Sequence, residues 1–253
     1  MIRLEFLRWI RSKRYLILIL IFSIFSLIST LSSYYSKDII EHLGTNGAQI
    51  IMPKVTWKDL ITSYLKSTSQ ICVFVAVYIV SLYCRFGENE SEKLFYKTRI
   101  RNSGRVLFSK LMVSVMINLF AMFIGALFTL YIIWTLFDNF DFEKTIVTFF
   151  IQMLTFTILI IVGTSISVYS NSPFFSAVIM ELFILASSIV QNIDVIQKWS
   201  PFNLLIPNDF LNEISFEDYK KQFMVLFLIF IISILAIRFR PINKLDISFR
   251  RKL

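Results

Sequence analysis

The chain has 253 residues and a formal charge of +9; 56% of its residues are apolar, 16% aromatic and only 17% charged. A soluble domain carries about 25% charged and 45–50% apolar residues, so this balance argues against a soluble enzyme. The apolar residues come in long runs without heptads, which argues against disorder, collagen and coiled coil.

Residues 1–14 carry five bases: Arg3, Arg8, Arg11, Lys13 and Arg14. Ile2, Phe6, Trp9 and Ile10 fall within roughly 100° on a helical wheel, and Glu5, Arg8, Arg11 and Ser12 fall elsewhere. This predicts a helix lying in the inner membrane interface, with Phe6, Trp9 and Ile10 on its apolar side. The other reading is a plain basic anchor. A charge-free run of 22 residues follows, Tyr15 to Ser36. It suffices for a bilayer span, which needs roughly 20 residues. It exceeds a signal peptide's apolar core and no small-residue cleavage site follows it, so an uncleaved helix is expected.

Gly44, Gly47 and Pro53 then precede Trp57-Lys-Asp-Leu60, which reads as an interfacial turn. The second charge-free run, Ser67 to Cys84, has 18 residues. Its two cysteines, Cys72 and Cys84, make no disulfide framework and are too few for structural zinc.

The loop from Arg85 to Lys110 has seven bases. Its core opens with Glu88, Glu90 and Glu92 and closes with Lys97 and Arg99. Acids first and bases last suit a helix dipole. Leu94, Phe95, Tyr96 and Ile100 supply an apolar face too short to span. A cytosolic amphipathic helix of this kind docks a partner, or it lies in the interface with a topological role alone. Asn102-Ser-Gly104 reads as a turn, and Lys110 opens the third span.

That third run, Leu111 to Phe137, has 27 residues and holds Asn118, a packing position. The next, Thr145 to Met180, has 36 and continues beyond Glu181 to Ile193. This is too long for one span. Tyr169-Ser-Asn-Ser-Pro173 divides it, because proline lacks an amide donor and disfavours helix at the residue before it. Thr155, Thr157, Thr164, Ser165 and Ser167, with Gly163, read as helix-packing positions. Glu181 is the one formal charge well inside a span, roughly 10 Å deep at about 1.5 Å per residue. A charge at that depth is costly and marks a functional candidate. It pairs with Gln152 or with Ser/Thr of the fourth span, or it meets water. The alternative is a carboxyl that merely holds helices together.

Pro201 and Pro207 break segment 194–221, which predicts a pair of short exterior helices with Trp199 and Phe202 in the interface. Gln222 to Ile237, 16 residues, is a short span that Lys221 and Arg238 extend by snorkelling.

The expectation is one all-α integral membrane domain over 1–253. Its six spans are 15–36, 67–84, 111–137, 145–168, 174–193 and 222–238. One side of this arrangement carries 18 bases and 5 acids, net +13; the loops opposite carry 8 and 11, net −3. The bias predicts cytoplasmic N- and C-termini in a multi-pass cell-membrane protein. It also explains the +9 without nucleic acid. No Walker A sequence, H-E-x-x-H or G-x-S-x-G is present, and His42 is the single histidine. No catalytic, cofactor or metal site is expected.

The order of these features resembles the ABC-2-type permease family, the membrane subunits of ATP-driven exporters. The resemblance covers nearly the whole chain. It is most local at Glu90-Ser-Glu92, Ile100-Arg-Asn-Ser103 and Ser109-Lys110-Leu111, which occupy the family's E-x-G-T-like helix, S-R-like turn and G-K opening of the third span. Trp199-Ser-Pro-Phe202 resembles its S-P element after the fifth span. Ser91-Glu92 replaces the family's G-T pair and Ile100 the proline of its turn. In size and composition the chain is nearest to exporters of amphipathic peptides, such as the bacteriocin-immunity and phenol-soluble-modulin exporters. A lipid, polysaccharide or drug cargo is the alternative within the family. The resemblance implies a second permease copy or a related one. It also implies an ATPase subunit, holding ATP and Mg, docked on the helix of Glu88 to Arg99. A different class, an ATP-independent carrier or structural membrane partner, would use Glu181.

Overall fold

The structure is a computed structural model that describes residues 2–36, 54–85, 103–190, 198–212 and 216–239. Among these residues the regular structure is entirely helical. Helix α1 spans Ile2–Ser12 and α2 Arg14–Tyr34. Helix α3 runs over Trp57–Cys84 and includes a π-helical turn at Thr68–Cys72. Helices α4 (Ser103–Leu136), α5 (Phe142–Ser170), α6 (Pro173–Val190) and α7 (Phe216–Arg238) complete the bundle. Two 3-10 turns, Pro201–Leu205 and Asn208–Leu211, lie between α6 and α7.

Five helices, α2 to α5 and α7, are long and apolar enough to cross a membrane. Helix α6 is equally apolar in character but shorter. Its 18 residues rise about 27 Å, close to the roughly 30 Å of a hydrocarbon core.

Several boundaries differ from the sequence expectation, each for a local reason. The expected interfacial turn at Trp57 is helical: Thr56 and Asp59 cap it, Asp59 Oδ2 accepting from the Thr56 amide at 2.8 Å and its hydroxyl at 2.7 Å. Leu60, Ile61, Tyr64 and Leu65 of this first part are buried in the bundle, so charges at Lys58 and Lys66 do not end the helix. Ser103 and Gly104, expected in a turn, are helical and begin α4 eight residues before the charge-free run. Gly104 is needed there, since a Cβ would stand 2.7 Å from the Arg238 carbonyl oxygen. The break at 169–173 is found where expected: α5 ends at Ser170, Asn171 takes a left-handed φ of 56°, and Pro173 begins α6.

Asp141 caps α5. Its carboxylate accepts from the Lys144 amide at 3.2 Å and pairs with the Lys144 ammonium at 3.2 Å. The Lys144 amide above all holds the Asp141 carboxyl below its ordinary value of 3.8. A depressed carboxyl stabilises the fold above its unfolded pKa and ceases to do so as pH falls through the folded one. Asp141→Ala is therefore expected to lower the thermal midpoint at pH 7. The gap to the parent should begin to narrow once the pH drops below 3.8, measured by thermal unfolding across pH 7 to 3. A gap independent of pH would rule out the capping account.

The core joins α2, α3, α4, α5 and α6 around Phe22, Val77, Met122, Phe156 and Met180. Large apolar side chains point outward along every long helix, among them Leu20, Phe120, Phe150, Leu182 and Phe227. In water such a surface would aggregate; it suits a hydrocarbon solvent.

Candidate functional site

Three groups of polar side chains stand out in this apolar bundle. The first lies where α1 meets the facing ends of α3 and α4. Helix α1 has the expected amphipathicity with a different docked edge. Trp9 is fully buried and Glu5 is 7% exposed, whereas Ile2, Phe6 and Ile10 are 58%, 48% and 44% exposed. The helical wheel alone places Glu5 on the polar side. Its burial follows from partners on other elements. The Tyr83 hydroxyl donates to Glu5 Oε2 at 2.7 Å and lies 3.0 Å from the Glu5 carbonyl oxygen. Arg8 Nη1 donates to Glu5 Oε1 at 3.1 Å. Trp9 lies against Tyr83, ring centroids 4.7 Å apart, and donates its indole N–H to Ser114 at 3.2 Å. Lys110, buried, directs Nζ to the carbonyls of Tyr83 at 3.5 Å and Arg85 at 3.3 Å, in the last turn of α3 and just past its end. A cation there complements the helix's negative end.

The second group is the π-helical turn of α3. The Leu65 carbonyl just before it accepts from the Ser69 hydroxyl and, at 3.2 Å, from Gln152 Nε2 of α5. Gln152 thus braces an irregular helix turn and makes no hydrogen bond to Glu181, one of its expected partners. Gly163 of α5 lies beside Val77 and Met180, and its carbonyl accepts from the Ser176 hydroxyl of α6. The small-residue packing expected around Gly163 is present. Of the hydroxyls expected beside it, Thr155, Thr157 and Thr164 donate to carbonyls four residues back on their own helix, at 2.9, 2.8 and 2.7 Å.

The third group is two residues with buried atoms that lack a hydrogen-bond partner among the described residues. Asn118 of α4 is fully buried, and neither amide atom has a hydrogen-bond partner among the described residues. Glu181 of α6 is half-buried, about 12 Å beyond Pro173, and its Oε2 is covered and unpartnered among the described residues. Asn118 and Glu181 are not hydrogen-bonded to each other or to Gln152. The three candidates named from sequence are thus not joined by hydrogen bonds.

The expected docking helix, with Glu88, Glu90, Glu92, Leu94, Phe95, Tyr96 and Arg99, lies outside the described residues, as does His42. Among the described residues no group of three or more His, Cys, Asp or Glu could hold a metal ion. The sequence reasoning missed Glu5, Tyr83 and Lys110 as a group. The signal for Glu5 was an acid placed one turn before a buried Trp on an otherwise basic helix.

The two ends of the bundle are distinct. At one end Tyr169 donates to the Ala236 carbonyl at 2.8 Å, Gly104 abuts Arg238, and α1 meets Tyr83. At the other end Lys58 donates to Asn212 at 2.7 Å and Thr62 to Asn208 at 3.0 Å, and Tyr34 packs on Phe137. No family model, curated protein or solved structure matches the chain.

Proposed function

We propose that the chain is the transmembrane permease subunit of an ATP-driven exporter of the ABC-2 type, exporting amphipathic peptides. It crosses the membrane six times, α6 being the fifth crossing, with both termini in the cytoplasm. The observation that carries the crossing pattern is the segregation of the two bundle ends. Elements of the strongly basic side (α1, Arg85, Gly104, Tyr169, Arg238) gather at one end, and Lys58, Thr62, Asn208 and Asn212 gather at the other. This agrees with the positive-inside distribution of charge. Helix α6 is what returns the chain between them. The order of elements and the 85–111 motif positions support the permease assignment within that pattern.

On this reading the chain performs no chemistry. A separate ATPase binds ATP and Mg and docks on residues 88–99. A second permease copy or a related one completes the conduit. ATP binding moves the permeases only if docking is stronger in one of their conformations than in the other. Changing Leu94, Phe95 and Tyr96 together to Asp is expected to abolish co-purification with the ATPase subunit, with the thermal midpoint unchanged. An intact complex would sink the assignment.

A second reading rests on Glu181, whose covered, unpartnered oxygen in an apolar helix is a costly feature. It makes the chain an ATP-independent carrier. Proton-driven uptake into liposomes lacking any ATPase, lost in Glu181→Gln, would favour it.

A further inference from the structure

Glu5, Tyr83 and Lys110 bring three chain segments to one point. Glu5 lies on α1, Tyr83 at the last turn of α3, and Lys110 in the second turn of α4. Residue 85, where the chain leaves α3, and residue 103, where it begins α4, flank the stretch proposed to receive the ATPase. The last turn of α7 is held to the same place by the contact of Gly104 with the Arg238 backbone.

The contacts are mutually dependent. Lys110 fixes the terminal carbonyls of α3, and one of those carbonyls belongs to Tyr83. Tyr83 in turn holds both the side chain and the backbone of Glu5. The Lys110 ammonium also sits 5.7 Å from the Tyr83 ring centroid, while Trp9 covers that ring from α1. A buried carboxylate hydrogen-bonded by a buried hydroxyl resists sliding, because any displacement leaves polar groups unpaired away from water. Apolar contacts between α1 and the bundle would allow α1 to roll or slip. This set does not.

We infer that Lys110, Tyr83 and Glu5 form a rigid strut that makes α1 move as one body with the facing ends of α3 and α4. They are positioning residues. They transmit displacement of those ends to α1, whose adjoining edge exposes Ile2, Phe6 and Ile10. This inference rests on the exporter reading for its functional consequence and on the contacts alone for its mechanical one.

Tyr83→Phe is the decisive variant. It keeps the ring against Trp9 and removes the hydroxyl that holds Glu5. The purified permease–ATPase complex in proteoliposomes, with a fluorescein-labelled amphipathic helical peptide as probe, separates the outcomes. Tyr83→Phe should still bind the ATPase and hydrolyse ATP at the parent's basal rate, while export per ATP falls about tenfold. Glu5→Gln retains an acceptor for Tyr83 and should export normally, whereas Glu5→Ala should behave as Tyr83→Phe does. In the permease alone, amide hydrogen exchange over residues 2–12 should accelerate at least tenfold in Tyr83→Phe and remain slow in Glu5→Gln. Unchanged exchange in Tyr83→Phe overturns the strut. Unchanged export per ATP with faster exchange overturns its role in transmission. A parent chain that binds no ATPase overturns the exporter reading and the transmission role with it, while the exchange result still decides whether the strut exists.

Discussion

Gly163→Ala is expected to destabilise the bundle by about 1–3 kcal/mol, the range for forcing a methyl into a packed core. A Cβ at this position would stand 2.5 Å from Val77 Cγ1, 3.1 Å from Val77 Cγ2 and 3.2 Å from Met180 Cγ. Met180 can bend away, since its side chain is long and unbranched. Val77 cannot, because its two methyls are attached at Cβ and its rotamer is fixed by the helix. The contact is therefore relieved only by separating α5 from α3. That separation would also disturb the Gly163 carbonyl, which accepts from Ser176 of α6. Three helices thus depend on one missing side chain. Where no water drives helices together, such close approach is a main source of association. Val77→Ala combined with Gly163→Ala removes the clash and should recover most of the loss. The coupling is read from a double-mutant cycle of thermal midpoints in detergent. Additive single effects would show that the two residues do not oppose each other.

The elements most legible in the sequence were those set by covalent rules. Pro173 and the polar residues before it divided α5 from α6 correctly, because proline's missing amide acts wherever it stands. The long apolar helices were legible by composition for the same reason: a run without charge has one stable form in hydrocarbon. Charges misled the boundaries. Lys58, Asp59 and Lys66 suggested that the second span starts at Ser67, yet the helix starts at Trp57, ten residues earlier. One face of that stretch buries Leu60, Ile61, Tyr64 and Leu65. Its charged residues serve the other, with Lys58 bonding Asn212. The same limit applied to α1. The wheel separated apolar from polar residues but could not show that Tyr83, some 78 residues away in sequence, holds Glu5. Gln152 illustrates it again, since its partner is the Leu65 backbone carbonyl beside a π-helical turn, and a carbonyl leaves no mark on composition. Long-range polar pairing is a property of the packed bundle.

Asn118→Leu is expected to raise stability, by about 1–3 kcal/mol, the cost of leaving a buried polar group unpaired. Leucine reproduces the branching of asparagine at Cγ and prefers helix. Asn118 shares its face of α4 with Ser114 one turn before and Met122 one turn after, and all three are fully buried. Ser114 is satisfied by donating to the Lys110 carbonyl at 2.8 Å and accepting from Trp9. Asn118 has no such partner among the described residues at either amide atom. The comparison between neighbours decides what the measurement means. Ser114→Ala removes a satisfied group and strands the Trp9 indole, so it should lower the thermal midpoint, whereas Asn118→Leu should raise it. At roughly 2–4 °C per kcal/mol for a chain of this size, the rise is large enough to read by thermal unfolding in detergent. Export then separates two explanations of why so costly a residue is present. If Asn118 serves the conduit, the stabilised variant loses export, the trade expected where function needs an unsatisfied polar group. If it only fills space, export is unchanged and the stability gain stands alone. A fall in thermal midpoint would show that the amide is paired after all in the membrane-embedded protein, and would remove Asn118 from the candidate conduit.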